Sequence, residues 1–151
     1  MRTVHVDVTE TTARPAAVVR GHATRDGLPS FLGGAFDAVL RALAGQDRRP
    51  AGPPFARYRV VEDGFHLEAG FPADGPVGAA DRVVPAELPG GTTATTVHRG
   101  SYESLGDTYA ALDAWLLEHG FEPAGEAWES YLDDPGAVQP RTLVSRPCRR
   151  R

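Results

Sequence analysis

The sequence predicts an α+β domain in which two pseudo-symmetric ββαββ halves form an antiparallel sheet with two helices and a central pocket. Two observations carry this prediction. Strand and helix patterns occur in the same order twice along the chain, over residues of about 3–72 and 80–147. Individual positions also match between the two halves. A seam between like halves is a natural place for a cleft, so we expect the pocket there.

The first half is predicted to begin with residues 4–9, where apolar and polar residues alternate as in a half-buried strand. Residues 26–30 contain glycine and proline and are predicted to interrupt regular structure, with Ser30 as the N-cap of the helix that follows and Gly45 as its end. The other predicted strands of this half are residues 16–23, 55–61 and 65–71.

The second half repeats this order. Ser104 is predicted to cap its helix with Asp107 as the partner in a capping box, and His119-Gly120 ends that helix. Asp133 to Gly136 is a predicted turn. The predicted strands of this half are residues 82–87, 92–99, 127–132 and 141–146.

Spaced residues strengthen the repeat. Glycine, aromatic residue and tyrosine recur at intervals of three, and a proline follows an equivalent strand in each half. The matched sets are Gly52-x-x-Phe55-x-x-Tyr58 with Gly125-x-x-Trp128-x-x-Tyr131, and Phe71-Pro72 with Arg146-Pro147.

Composition narrows the classes of function. The chain has 151 residues and a net charge of −4, which argues against direct, non-specific binding of nucleic acid. No apolar run reaches the roughly 18 residues of a membrane span, and the N-terminus lacks an apolar signal core, so we expect no membrane contact and a cytoplasmic protein. We expect one domain over residues 1–147 and a frayed basic tail at 148–151.

Metal and cofactor sites are not predicted. The single cysteine, Cys148, cannot form an intramolecular disulfide or a thiolate metal cage. The five histidines show no short ligand spacing. We therefore expect no metal and no cofactor.

The main candidate for chemistry is Glu129, which lies in a predicted strand between Trp128 and Tyr131. Side chains alternate across a strand, so Glu129 and Tyr131 share one face and Trp128 lies on the other. Three interpretations stay open. Glu129 is exposed or paired with an arginine, it is a buried anion that awaits a cationic ligand, or it is a base of raised pKa.

Aromatic residues are the second signal. Rings around one carboxylate suit a flat organic cation, because each cation–π contact contributes roughly 0.5–2 kcal/mol. A place in the core is the alternative, most of all for Trp115 and Phe36 on the helices. The candidate wall residues are Tyr58, Tyr102, Tyr109, Tyr131, Trp115 and Phe36.

The motifs His98-x-Gly100-x-Tyr102 and Trp128-Glu129-x-Tyr131-x-x-Asp134-Pro135, with the helix end at residues 115–120 between them, resemble the GyrI-like family. That family includes effector-binding domains of bacterial multidrug-responsive transcription regulators. The resemblance implies two pseudo-symmetric halves around a pocket. It implies that Glu129 matches a pocket glutamate that pairs with cationic lipophilic drugs, with Tyr131, Tyr102 and Tyr109 lining the pocket. We expect a stand-alone member, since the first predicted strand begins too early to follow a helix-turn-helix.

The resemblance leaves three functions open. The first is binding or sequestration of lipophilic or cationic small molecules. The alternative is hydrolysis of strained, cyclopropane-bearing natural products with Glu129 as general base. The third is binding to gyrase or to a regulator, and the sequence identifies no such partner. The haem-binding SOUL proteins share the general fold, but no histidine here has the context of an axial ligand.

Overall fold

A computed structural model describes residues 4–134 and 136–151 and divides into two compact units. One unit is Ala13–Pro89. The other, called here the C-terminal unit, contains Gly90–Arg151 together with the chain up to Thr12. Every described strand pair is antiparallel, and the mixed α+β class is as predicted.

The helices are α1, Leu28–Gly45, and α2, Leu105–Glu118, and a 3₁₀ turn at Tyr102–Ser104 precedes α2. The strands in chain order are β1 Asp7–Thr11, β2 Arg14–Ala23, β3 Phe55–Val61, β4 Gly64–Pro72, β5 Val83–Leu88, β6 Gly91–Arg99, β7 Phe121–Pro123, β8 Trp128–Tyr131 and β9 Arg141–Arg150.

The Ala13–Pro89 unit has the strand order β3-β4-β2-β5, with α1 packed against β2 and β4. Val18, Val39 and Phe55 are fully buried in it. The predicted cap at Ser30 is wrong, because Gly27 is the N-cap and Pro29 lies in the first helical turn. Proline is accepted there because the first backbone N–H groups of a helix have no intrahelical partner.

The C-terminal unit has the order β1-β6-β9-β8, and β7 pairs with the end of β9. Helix α2 packs against β6 and β7. Leu112, Leu116 and Val144 are fully buried in the apolar cluster of this unit, and Val8 from β1 packs against it.

The compact units differ from the sequence halves by an exchange of first strands. Strand β1 pairs with β6, and β5 pairs with β2. Each unit therefore takes its edge strand from the other half of the sequence. The order β5-β2-β4-β3 in one unit corresponds to β1-β6-β9-β8 in the other.

The matched glycines have matched surroundings. A Cβ atom on Gly52 would lie 3.1 Å from Pro72, and one on Gly125 would lie 3.3 Å from Pro147. In each half the residue before the glycine donates its N–H to the carbonyl of that proline, at 2.8 Å and 2.7 Å. A glycine at this position lets the two backbones approach closely.

The expected frayed tail is wrong for residues 148–150. Strand β9 extends to Arg150, and Cys148 is buried. Arg149 pairs with Glu122 at 2.6 Å, and the Arg150 guanidinium lies 4.8 Å from the centre of the Phe121 ring. The tail is held by β7, a strand of three residues that the sequence did not predict.

The ends of several elements also differ. Strand β1 spans Asp7–Thr11 rather than residues 4–9, and its last residue, Thr11, lies opposite Gly91 at the beginning of β6. The predicted end of the second helix is confirmed, with His119 as C-cap and Gly120 at φ +84°. The predicted turn at 133–136 includes Pro135, which lies outside the described residues.

Ser104 is the N-cap of α2, but its side chain forms no capping hydrogen bond, so the predicted capping box is wrong. The Ser104 hydroxyl instead donates to the Ser101 carbonyl at 2.9 Å and lies 3.2 Å from Nε2 of His98. The preceding 3₁₀ turn brings this hydroxyl close to both groups.

Candidate functional site

Glu129 is buried beneath α2, with only 6% of its surface exposed. It lies opposite Val144 of β9, a member of the apolar cluster, and Tyr109 of α2 reaches its carboxylate. The alternation of side chains along β8 places Tyr131 on the same face. The interpretation of Glu129 as an exposed strand residue is therefore wrong.

Two tyrosine hydroxyls hold the Glu129 carboxylate. Tyr109 donates to Oε2 at 2.7 Å, and Tyr131 donates to Oε1 at 3.0 Å. Within residues 4–134 and 136–151, no arginine forms an ion pair with Glu129. The carboxylate thus receives its described hydrogen bonds from neutral groups, and the electrostatic attraction of His98 is a smaller effect than either of them.

Burial raises the pKa of Glu129 above its ordinary value, because the charged form loses its hydration. The hydrogen bonds from Tyr109 and Tyr131 favour the charged form and lower the pKa, but they offset only part of the effect of burial. A cation placed beside Glu129 would remove the remaining cost of the charge.

Tyr102 joins this group from the 3₁₀ turn. Its ring meets that of Tyr131 edge to face, with 5.9 Å between centroids and 67° between planes. About a third of Tyr102 is exposed, at 37%. Burial and then the negative charge of Glu129 raise the pKa of its hydroxyl. We call Glu129, Tyr102, Tyr109 and Tyr131 the Glu129 cluster.

His98 of β6 positions the two segments that carry these tyrosines. Its Nε2 lies 2.8 Å from the Ser101 carbonyl, which can only accept, so Nε2 carries a proton. Its Nδ1 lies 2.6 Å from the Thr108 hydroxyl, which donates to it when the ring is neutral. His98 therefore ties β6 both to the turn that bears Tyr102 and to the helical residue beside Tyr109.

His98 was not among the predicted site residues. Its only sequence signal was the spacing His98-x-Gly100-x-Tyr102, which does not reveal that a buried imidazole bonds to a helix ten residues away.

The other predicted wall residues have different contacts. Trp115 stacks on the His119 ring at 3.9 Å and 13°, and it packs against the apolar cluster. Phe36 and Tyr58 belong to the Ala13–Pro89 unit, where their rings meet Phe71 and Phe65, each at 5.7 Å. The contacts described for these three residues do not include the Glu129 carboxylate.

Two further properties concern the described residues as a whole. Their His, Cys, Asp and Glu side chains form no group of three that could hold a metal ion. Neither of their helices combines the length and apolar character that crossing a bilayer requires.

Comparison by sequence gives one family. The family model of the GyrI-like small molecule binding domain matches residues 54–146. This match includes Glu129, Tyr102, Tyr109 and Tyr131. No curated protein matches the chain.

Solved structures with a similar fold include EcmrR in a complex with DNA, at a TM-score of 0.78 and 18% identity. The match covers 97% of this chain but only 58% of EcmrR. A Listeria innocua protein named as a hydrolase has a TM-score of 0.73 and 13% identity, over 95% of this chain and 91% of its own. SAV2435, bound to tetraphenylphosphonium, has a TM-score of 0.58 and 9% identity, over 96% and 94%. At these identities the likeness concerns the fold.

Proposed function

The chain belongs to the GyrI-like family of small-molecule-binding domains, and from that premise we propose that it binds hydrophobic, preferably cationic, aromatic molecules at the Glu129 cluster. One observation carries the proposal. Glu129 is a buried carboxylate whose described hydrogen-bond partners are neutral phenols.

The physical reason is a buried negative charge that is only partly compensated. Removing a carboxylate from water costs several kcal/mol, and two phenol hydrogen bonds recover only part of it. A lipophilic cation supplies the missing charge without requiring a fixed hydrogen-bond geometry. Tyrosine faces add cation–π attraction of roughly 0.5–2 kcal/mol each. We propose Trp115, which packs against the apolar cluster of the same unit, as a further aromatic wall.

The relative SAV2435 supports this choice of ligand, because it was solved with tetraphenylphosphonium, a lipophilic aromatic cation. Tetraphenylphosphonium has no N–H or O–H group, so a site that binds it relies on charge and apolar surface. Those are the properties that the Glu129 cluster offers.

Titration with tetraphenylphosphonium or a rhodamine tests the proposal. Glu129→Gln keeps the shape of the side chain and removes its charge, and we expect affinity to fall about tenfold or more, the effect of about 1.4 kcal/mol. Glu103→Gln, at an exposed carboxylate of the same unit, is the matched control and leaves affinity within about twofold. Equal affinity in wild type and Glu129→Gln, with both folded, would refute the proposal.

The raised pKa of Glu129 favours hydrolysis as a second candidate, since a carboxylate that accepts protons more readily is a better general base. In this reaction a water proton passes to Glu129 while the water oxygen bonds to a cyclopropane carbon. The strained C–C bond breaks, and its electron pair moves onto a conjugated carbonyl. The proton then returns from Glu129 to the product, which equals substrate plus water. Tyr102 donates a hydrogen bond to the developing oxyanion, because the single O–H of Tyr131 already donates to Glu129.

Mass spectrometry separates hydrolysis from simple binding. The protein is incubated with a cyclopropane-bearing alkylating compound, and the expected product is heavier by one water. Glu129→Gln abolishes the increase over the uncatalysed rate, and Glu103→Gln retains it. A wild type that binds lipophilic cations but gives no Glu129-dependent product excludes hydrolysis and leaves sequestration.

A further inference from the structure

Thr142 carries a hydroxyl that is fully buried and has no hydrogen-bond partner within the part of the chain that the structure describes. A buried hydroxyl left unpaired costs about 1–3 kcal/mol. Native proteins normally satisfy such a group with an ordered water when no side chain or backbone group is near. The Thr142 hydroxyl thus indicates a bound polar atom beside it.

The register of the sheet places Thr142 next to the Glu129 cluster. It lies opposite His98 of β6 on one side and opposite Tyr131 of β8 on the other. Directly opposed residues of antiparallel strands point to the same face. Since His98 bonds to Thr108 and Glu129 bonds to Tyr109, this face lies under α2.

Glu129 is the diagonal neighbour of Thr142, two residues along β8 from Tyr131. Diagonal neighbours are separated by about 7–8 Å, with the side chains somewhat closer. The Thr142 hydroxyl makes no direct hydrogen bond to Glu129, and a water molecule that bonds to both side chains would bridge a separation of this order.

Two other buried hydroxyls, one on this face and one on α2 above it, have partners. Thr96 donates to the His5 carbonyl at 2.7 Å, and the Thr108 hydroxyl lies 2.6 Å from Nδ1 of His98. The free hydroxyl of Thr142 is therefore a property of this position rather than of the whole face.

We propose that the Thr142 hydroxyl holds an ordered water molecule beside Glu129 as a fixed part of the site. A buried water needs two to four polar partners. The Thr142 hydroxyl, the Glu129 carboxylate and the Tyr131 phenol supply three on one face. The water donates to the carboxylate and stabilises its charge. If the hydrolysis described above takes place, on which this consequence rests, Thr142 positions the attacking water.

Thr142→Val tests the proposal because valine keeps the branched shape and removes the hydroxyl. The readout is the pKa of Glu129, followed by carbon-13 NMR of its carboxyl group. Losing the water removes a hydrogen bond to the charged form, so we expect this pKa to rise by about half a unit or more. Thr142→Ser restores the wild-type value. Thr96→Val, whose hydroxyl bonds to a backbone carbonyl, leaves the pKa of Glu129 unchanged and is the matched control.

A high-resolution crystal structure gives the second readout. Wild type and Thr142→Ser show a water within hydrogen-bond distance of the residue 142 hydroxyl, and Thr142→Val does not. An unchanged pKa of Glu129 in Thr142→Val, or electron density without this water in the wild type, overturns the proposal. A ligand atom in direct contact with the Thr142 hydroxyl overturns it as well.

Activity distinguishes this proposal from the function on which its last consequence rests. At a pH where Glu129 is ionised in both proteins, Thr142→Val slows hydrolysis about tenfold or more, while Thr96→Val leaves hydrolysis within about twofold of the wild-type rate. Hydrolysis that proceeds at the wild-type rate in Thr142→Val rejects the positioning role. A wild type that neither binds tetraphenylphosphonium nor hydrolyses the cyclopropane compound refutes the proposed function. The crystallographic and NMR results on Thr142 then still show whether a water molecule is bound there.

Discussion

At the scale of the residue, the buried charge of Glu129 lowers the stability of the fold, and the proposed binding of cations requires that same charge. Burial raises the pKa of Glu129 in the folded protein above that of the unfolded chain. The contribution of Glu129 to the free energy of unfolding is therefore highest below the ordinary pKa of glutamate, and it falls as pH rises through the raised folded pKa. Above that pH the ionised carboxylate destabilises the fold until a cation binds.

We expect Glu129→Gln to raise the melting temperature at pH 7 by about 2–4 °C, the change that about 1 kcal/mol makes in a domain of this size. The gain disappears towards pH 4, where the carboxyl is protonated in both states. Thermal unfolding between pH 4 and 8 measures this, with Glu103→Gln as control. A large loss of melting temperature at pH 7 in Glu129→Gln would show instead that the carboxylate holds the fold together.

The two hydrogen bonds to Glu129 differ in length, so we expect removal of the two hydroxyls to lower ligand affinity by different amounts. Tyr109→Phe and Tyr131→Phe each remove a donor to the charged form, which raises the pKa of Glu129 and moves cation binding to higher pH. We expect affinity at neutral pH to fall about tenfold in Tyr109→Phe, because a hydrogen bond to a charged group contributes about 1.5–3 kcal/mol.

Tyr131→Phe is expected to lose less, because its bond is longer, 3.0 Å against 2.7 Å. Titration with tetraphenylphosphonium at several pH values measures both variants. Tyr102→Phe keeps a ring at the cluster and removes a hydroxyl that is not described as bonding to Glu129, so it is the control. Equal losses in all three variants would contradict the role given to the two hydrogen bonds.

Part of this residue-scale arrangement was available from the sequence. Alternation along a strand predicts that Glu129 and Tyr131 share a face, and the Tyr131 hydroxyl bonds to Glu129 as that placement allows. The bond from Tyr109 and the role of His98 were not predictable, because each depends on how α2 lies over the sheet. Periodicity reports the face of an element, not which residue of another element it meets.

At the scale of the element, the start of α2 is fixed by a buried side chain rather than by its cap. The Ser104 side chain forms no capping bond, and His98 bonds to both Ser101 and Thr108. The position of Tyr109 over Glu129 thus depends on an imidazole in the neighbouring strand.

His98→Ala is expected to lower the free energy of unfolding by about 2–4 kcal/mol, since it opens a cavity and leaves the Thr108 hydroxyl without its ring partner. It also weakens binding of tetraphenylphosphonium, because Tyr109 is no longer held in place. Denaturant unfolding and titration measure the two effects. His119→Ala, at an exposed helix end, changes stability by less than about 1 kcal/mol. Unchanged stability in His98→Ala would remove His98 from its positioning role.

Elements with a strong local pattern were predicted within a few residues, and those that depend on a distant partner were not. Strand β3 has the predicted bounds, and α2 ends at the predicted His119-Gly120. Strand β7 and the end of β9 have no local signature. They form because Phe121–Pro123 and residues 148–150 pair with each other and because Arg149 meets Glu122.

At the scale of the whole molecule, the repeat predicts the order of strands and helices in each sequence half. It does not predict which strand the first strand of each half pairs with. Strands β1 and β5 occupy equivalent places in two similar halves, so local pattern is equally compatible with pairing inside a half or across halves. The structure shows pairing across halves, β1 with β6 and β5 with β2. Each compact unit is therefore completed by a strand that the chain supplies from elsewhere.

The exchange of first strands predicts which elements lose protection from hydrogen exchange when β1 is removed. Removing residues 1–12 exposes the edge of β6, and it takes away Val8, which packs against the apolar cluster beneath α2. We expect amide hydrogen exchange to accelerate in β6 and α2, while β2 and β4 keep their protection because their pairing does not involve β1. Removing residues 1–12 also weakens binding of tetraphenylphosphonium, because Glu129 and its tyrosines lie in the C-terminal unit.

If the shortened chain does not fold, Val8→Ala gives the same test in milder form, since it thins the contact with the cluster and keeps the backbone pairing. Val60→Ala is the matched control, because Val60 is 78% exposed. Faster exchange confined to β2 and β4 would mean that β1 belongs with its own sequence half, and the exchange of first strands would then be wrong. Faster exchange confined to β6 and α2 supports it, because only a strand that completes the C-terminal unit protects those amides.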